Sequence, residues 1–215
     1  MRLKVTTFAA MSLLALSSAA TADNLSGINV GASVVLGESL TGEATDNAES
    51  NTPGAVNTVG ASDNFGSFDL KIGYNSVLSN GMFLGAEANY NATGIDETVI
   101  DEEGNKVDLG KESSYGIRGK LGAALNDDIA LYGIVGYQST EFDLTAADED
   151  GSTSEENDHT GVSYGIGVTY AIQSNLLVTA EAIQTDYDDK TYFDESDIEP
   201  DETQFGVGLA YRFDI

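Results

Sequence analysis

Cysteine and tryptophan are missing from this chain of 215 residues, which also has only two prolines and one histidine. Without cysteine the chain can form neither a disulfide nor a thiolate metal site, so its stability must come from other contacts. Basic residues are scarce too, since nine Lys and Arg stand against 36 Asp and Glu, a formal net charge of −27. A chain this acidic repels phosphate backbones, which excludes nucleic acid as an expected partner.

Long hydrophobic runs are absent after residue 22, where Gly, Ser, Asn and charged residues interrupt every apolar stretch. A membrane-spanning helix needs roughly 18 or more consecutive apolar residues. If this part of the chain crosses a membrane, it must therefore do so with strands.

Residues 1–22 have the pattern of a secretory signal peptide. Basic residues at positions 2 and 4 precede a short apolar run, and Ala20 and Ala22 fit an A-x-A cleavage site. We therefore predict cleavage after Ala22, which leaves residues 23–215 as one domain. The two basic residues leave with the signal, which takes the formal charge from −27 to −29.

Eight segments of the remaining chain alternate apolar residues with small or polar ones at a period of two. In the last of them, Phe205, Val207 and Leu209 lie on one face of the expected strand, while Gly206 and Gly208 lie on the other. This pattern is typical of strands with a single apolar face. The segments are Ile28 to Leu36, Phe68 to Tyr74, Leu84 to Ala92, Tyr115 to Leu125, Leu131 to Phe142, Val162 to Ile172, Val178 to Tyr187 and Gln204 to Ile215.

The connections between these segments are alternately short and long. Short links near 77–81, 126–128 and 173–175 carry good turn residues, and long acidic links fall at about 38–63, 94–111, 143–160 and 188–202. Bacterial outer-membrane barrels have this alternation of short periplasmic turns and long outer loops. We therefore predict an all-β fold, an eight-stranded antiparallel transmembrane β-barrel located in the cell outer membrane.

The inward-facing residues distinguish this fold from a soluble barrel, which would point its apolar face inward. With the apolar faces turned to lipid, four positive and three negative side chains point into the lumen. An eight-stranded barrel is just wide enough for side chains to fill, and charges buried there must be paired. We predict a luminal ion-pair network of Asp69, Lys71, Glu87, Arg118, Lys120, Glu181 and Arg212.

The chain also resembles the small outer-membrane barrel family that includes the OmpA-like transmembrane domain and the opacity-type porins. The residues that carry the resemblance are 85–90 in the third segment, 131–137 in the fifth, 180–182 before 185–187 in the seventh, and the closing stretch 206–213. The resemblance covers essentially all of residues 23–215. It implies the barrel fold, the outer membrane as location and the barrel-assembly machinery as a partner, but it does not determine function.

Acidic residues in the long links suggest cation binding. Asp148, Asp150 and Glu155 form a candidate cation-binding loop, because Ca²⁺ prefers carboxylate and carbonyl oxygens. Their spacing does not match an EF-hand loop. We therefore expect no discrete metal site and no cofactor, only loosely held Ca²⁺ or Mg²⁺ that could bridge the acidic loops to lipopolysaccharide phosphates.

Catalytic chemistry is not indicated by the sequence. The single histidine, His159, lies four residues before Ser163, a spacing that does not place the two side by side in a strand, and we interpret it as a solvated loop residue. We predict no catalytic residue and no enzyme activity.

Three functions remain open. The first is a structural or surface-interaction role through the acidic outer loops, in contact with outer-membrane lipid and lipopolysaccharide. The second is a narrow porin-like channel for small solutes or cations, and the third is a lipid-modifying enzyme. A monomer is the expected state for a closed small barrel.

Overall fold

In the computed structural model, the described residues are 23–46, 56–63, 67–100, 106–148, 151–192 and 196–213, so the predicted signal peptide lies outside them. A short 3₁₀ helix, η1, covers Asp23–Leu25. Ten strands follow: β1 Gly27–Asp46, β2 Val56–Asp63, β3 Phe68–Val77, β4 Met82–Ile100, β5 Lys106–Ala124, β6 Ile129–Asp148, β7 Gly151–Gln173, β8 Leu176–Tyr187, β9 Lys190–Tyr192 and β10 Ser196–Phe213.

Eight of these strands form a closed antiparallel barrel. Each of β3 to β8 pairs with its sequence neighbour, β8 pairs with β10, and β1 pairs with both β3 and β10. The remaining two strands, β2 and β9, pair with the outer halves of β1 and β10. The predicted strand number and the predicted fold class are therefore confirmed.

Apolar side chains cover the outside of the barrel. Ile117 is 67 % exposed and Val135 is 62 % exposed, whereas their strand neighbours Arg118 and Ile134 are buried. A soluble barrel would bury such residues in its core. We call this outward surface the apolar belt; its members include Ile28, Val30, Val34, Leu70, Ile72, Ile117, Leu121, Leu131, Val135, Val162, Ile166, Val207 and Leu209.

Two sets of exposed aromatic residues border the apolar belt. The set towards the long connections contains Phe68, Tyr90, Tyr115, Tyr137 and Phe205, and the set towards the short turns contains Tyr74, Tyr170, Tyr211 and Phe213. Aromatic girdles mark the two water interfaces of outer-membrane barrels. The belt between them is the height at which the barrel crosses the membrane.

The long connections are built differently from the prediction. We expected loops at about 94–111 and 143–160, but β4 and β5 stay paired up to Ile100 and Lys106, and β6 and β7 up to Asp148 and Gly151. The hairpins continue beyond the belt because every added residue pair forms further ladder hydrogen bonds. Much of the outer region is therefore sheet, which presents acidic residues on ordered backbone.

Tight turns connect the strands at the opposite end of the barrel, at the predicted short links. Asn80 and Asn126 each cap a turn, since their side-chain oxygens accept hydrogen bonds from the backbone of Met82 and of Asp128 and Ile129. Among the described residues, no helix is long and apolar enough to cross a membrane.

Candidate functional site

Six charged side chains meet in the middle of the lumen, at the height of the apolar belt. They come from four strands: β3, β4 and β5 contribute five of them, and β8 contributes Glu181. We call this group the central ion cluster; it consists of Asp69, Lys71, Glu87, Arg118, Lys120 and Glu181. Its three acids balance its three bases, so the cluster is formally neutral.

Glu181 joins the two lysines. One of its oxygens lies 2.5 Å from Lys71 Nζ and the other 2.9 Å from Lys120 Nζ. Tyr132 also donates its phenolic hydrogen to Glu181, at 2.9 Å, and its hydroxyl accepts from Thr169 at 3.2 Å. The carboxylate is therefore held by three groups on three different strands.

Arg118 connects the remaining acids. Its guanidinium lies 3.4 Å from Asp69 and 3.8 Å from Glu87, and it donates to Gln138 Oε1 at 3.2 Å. Lys120 also pairs with Glu87, at 2.6 Å. Buried charges persist in a narrow barrel only with such multiple partners.

Arg212, the seventh predicted member, lies elsewhere. Its guanidinium donates to the backbone carbonyl oxygens of Ser174, at 2.8 Å, and of Ser26, both at the end of the barrel that carries the short turns. The alternation along β10 correctly predicts that Arg212 faces the lumen. Alternation does not show, however, how far along the barrel axis a residue lies. Near the end of the last strand it reaches the β7–β8 turn and the residue before β1 rather than the cluster.

A second ion pair lies nearer the outer end of the lumen and was missed by the sequence analysis. Lys111 pairs with Glu202, and both side chains are buried. We had assigned both residues to solvated links. Glu202 keeps the inward alternation of β10, whereas a register shift between Lys111 and Ser113 changes which residues of β5 face inward and so hides the alternation signal of Lys111.

Tyr187 connects the outer ion pair to Gln138, which lies between this pair and the central ion cluster. Its hydroxyl donates to Glu202 at 2.5 Å and accepts from Gln138 Nε2 at 2.9 Å. Tyr187 is 3 % exposed, so its phenol is a buried donor to the outer ion pair.

His159 is not the solvated loop residue that we predicted. It lies within β7, is 0 % exposed and contacts Phe142 edge to face with ring centroids 5.3 Å apart. Its Nδ1 is 3.0 Å from the backbone oxygen of Asp188. Ser163, four residues further along the strand, shares a 2.8 Å hydrogen bond with Thr185 instead.

Two of the three candidate cation-binding residues, Asp148 and Glu155, lie apart along the β6–β7 hairpin. Asp148 is opposite Gly151, whereas Glu155 is opposite Leu144, which is about 13 Å further down the strand at ~3.3 Å per residue. Asp150 lies outside the described residues. Within the described part of the chain, no group of three His, Cys, Asp or Glu side chains is arranged to hold a metal ion.

Apolar side chains close the lumen below the central ion cluster. Tyr132 stacks on Phe83 with ring centroids 5.2 Å apart, and the two contribute to a buried apolar layer. A cavity of only about 20 Å³ lies beside the cluster, against Asn29, Lys71 and Glu87. A cavity of that size holds about one water molecule. Among the described side chains, paired or packed residues therefore occupy the lumen from the outer ion pair down to the apolar layer.

Comparison with solved structures finds outer membrane proteins. OprG from Pseudomonas aeruginosa is similar with a TM-score of 0.50 and 10% identity, covering 89% of this chain and 98% of that one. Ail of Yersinia pestis has a TM-score of 0.47 and 15% identity, with 88% and 100% covered. The outer membrane protease OmpT from Escherichia coli has a TM-score of 0.46 and 13% identity, with 87% and 97% covered. At these identities the likeness to OprG shows the fold alone.

The sequence itself matches a family model as well. No curated protein matches the chain. The model of the outer membrane protein beta-barrel domain, in contrast, matches residues 6–213. This match agrees with the closed eight-stranded barrel, its exposed apolar belt and its aromatic borders. The chain therefore belongs to the outer membrane protein beta-barrel family and resides in the cell outer membrane.

Proposed function

We propose that this protein is a closed barrel whose function lies at its outer surface and not in its lumen. The observation that carries the proposal is the filled lumen. The central ion cluster is neutral, the outer Lys111–Glu202 pair is neutral, and an apolar layer closes the far end. An ion that entered would have to break several buried pairs, each of which is costly to separate.

Conductance of the refolded protein in a planar bilayer tests this proposal. We expect no discrete current steps from the wild-type protein, because the paired side chains leave no continuous water path. The variant with Arg118→Ala and Lys120→Ala removes two long side chains from the lumen. It should also show no current steps, because the outer ion pair and the apolar layer still close the path. A matched control replaces Lys106 and Lys190 with alanine, two basic residues whose backbone lies beyond the apolar belt.

Regular current steps from the wild type would contradict the closed barrel, provided that the control variant conducts in the same way. Steps that grow when Arg118 and Lys120 are replaced would establish a pore obstructed by the central ion cluster.

A narrow channel is the second candidate, and one observation favours it. Polar contacts run without interruption from Glu202 through Tyr187 and Gln138 to Arg118, and onwards through the central ion cluster to Tyr132 and Thr169. Rearranging such a column could admit small cations from the outer side. At the end of the barrel with the short turns, however, the column ends on the apolar layer. We therefore prefer a closed barrel that acts through its outer surface.

The outer surface has the charge that a surface role would use. The backbone places Asp143, Asp148, Glu155 and Glu156 on the protruding β6–β7 hairpin. Near the short turns, by contrast, the described residues include few acids, chiefly Asp127 and Asp128. Divalent cations attracted to the acidic hairpins would connect them to the phosphates of lipopolysaccharide.

This bridge predicts a Mg²⁺-dependent association with lipopolysaccharide. We expect nanodiscs that contain the wild-type protein to bind rough lipopolysaccharide vesicles in Mg²⁺ and to release them in EDTA. Changing the four acids of the β6–β7 hairpin to their amides should weaken the binding, whereas Asp127→Asn at a short turn should not. Equal binding by all three proteins, or binding that survives EDTA, would argue against a cation bridge.

A role without catalysis is part of the same proposal. Catalysis by the histidine would require access to substrate, but His159 is buried against Phe142. Ser163, four residues further along β7, shares its hydrogen bond with Thr185 and not with the imidazole. These contacts support a structural role for both residues.

A further inference from the structure

The end of the barrel that carries the short turns is closed by a segment that is not part of the barrel wall. Leu25, in η1, is 0 % exposed and belongs to the apolar layer with Phe83, Ala124 and Leu177. Short links predict that this end faces the periplasm. The periplasmic mouth is thus closed by a side chain from the three-residue helix that precedes β1.

Gly27 allows the chain to turn from the wall into the mouth. Its φ is +140°, a conformation that side chains disfavour, and a Cβ at this position would overlap the carbonyl oxygen of Phe213. The turn therefore directs η1 under the barrel instead of continuing the line of β1. It is a natural hinge for the segment before it.

The attachment of this segment consists of side-chain contacts rather than strand pairing. Asn24 donates to Asp128 at 2.9 Å, and Ser26 Oγ accepts from the backbone of Val77 at 2.9 Å. Arg212 donates to the carbonyl oxygen of Ser26. Among the described residues, pairing of β1 with β3 and β10 begins at Gly27 and Ile28, so moving residues 23–26 breaks none of the ladder.

We propose that η1 is a movable stopper and that Leu25 reversibly seals the periplasmic mouth of the lumen. When Leu25 leaves, the apolar floor below Tyr132 opens to periplasmic water, and the polar column above it becomes the remaining barrier. The stopper and the central ion cluster are then two barriers in series. This inference does not depend on what the outer surface binds.

Labelling of a single introduced cysteine tests the stopper, because the wild-type chain contains no cysteine. Ala130 is 0 % exposed in the apolar layer, so Ala130→Cys reports whether water reaches the floor. A charged, membrane-impermeant thiol reagent is added from the periplasmic side of the reconstituted barrel. In this background, Leu25→Ser should label about tenfold faster, since labelling follows the open population. The matched control is Leu78→Ser, a partly exposed leucine in a short turn.

Asn24→Ala provides a milder variant that only removes the bond to Asp128, and it should label at an intermediate rate. Protease resistance of each variant before labelling shows that its barrel is folded. Labelling of a folded Leu25→Ser variant at the rate of its parent would overturn the stopper, as would a parent that already labels as fast as an exposed cysteine. Because labelling reports only the floor, these outcomes are independent of whether the wild-type protein conducts.

Discussion

Replacing Glu181 with alanine is expected to lower the free energy of unfolding by about 3–5 kcal/mol, the cost of leaving buried charges without their partner. Lys71 and Lys120 share this carboxylate, and Tyr132 donates to it. Without Glu181 the central ion cluster has three bases and two acids in a lumen that offers little water. Urea unfolding in lipid vesicles, followed by tyrosine fluorescence, measures the change.

A second substitution separates charge imbalance from lost packing. Adding Lys120→Met to the Glu181 variant restores two acids and two bases and should recover part of the lost stability, as a double-mutant cycle would show. Asp158→Ala removes an exposed carboxylate from β7 and should change stability by less than about 0.5 kcal/mol. If Glu181→Ala and Asp158→Ala unfold at the same urea concentration, the central ion cluster does not stabilise the barrel.

The substitution Gly122→Ala is expected to cost about 3 kcal/mol, the upper part of the range for overpacking, because its neighbours are backbone atoms. A Cβ at Gly122 would overlap the carbonyl oxygen of Leu131 and lie 2.5 Å from Tyr132 Cα. In a closed barrel β5 cannot move away from β6 without disturbing the strand on its other side. Urea unfolding and the yield of folded protein in vesicles both measure the effect.

Gly119→Ala is the matched control for this prediction, because it makes the same change three residues earlier in β5 on the outer face. There the nearest atom to an added Cβ, the carbonyl oxygen of Val135, is 3.7 Å away. Its stability should stay within about 0.5 kcal/mol of the wild type. An equal loss in both variants would mean that the backbone contact at Gly122 is not the cause.

Much of the barrel was predictable because its signals are local. The alternation of Phe205, Val207 and Leu209 with two glycines requires only neighbouring residues, and so does the alternation of short and long links. The charged side chains of β3, β4 and β5 were assigned to the lumen on the same basis. In a strand, side chains at odd and even positions point to opposite faces, so the sequence pattern shows which residues face the lumen.

The wrong predictions of exposed residues share a cause. Lys111, His159 and Glu202 were assigned to solvated links because acidic, polar sequence surrounds them. The structure extends the strands through these positions. Alternate residues of β7 and β10 continue to point inward there, and the register shift in β5 turns Lys111 inward. Composition predicts exposure only where no long-range pairing orders the chain, and such pairing is not visible in the local pattern.

Strand number, the outward apolar face and the position of the tight turns follow from the order of amino acids, since each is set by residues close together in the chain. Which luminal charges meet is decided only by closure of the barrel. Lys71 and Glu181 are 110 positions apart, and their contact depends on the stagger accumulated across the intervening strands. The same stagger separates Arg212 from the central ion cluster although both face inward, whereas the turn at Gly27 brings Leu25 beneath the lumen.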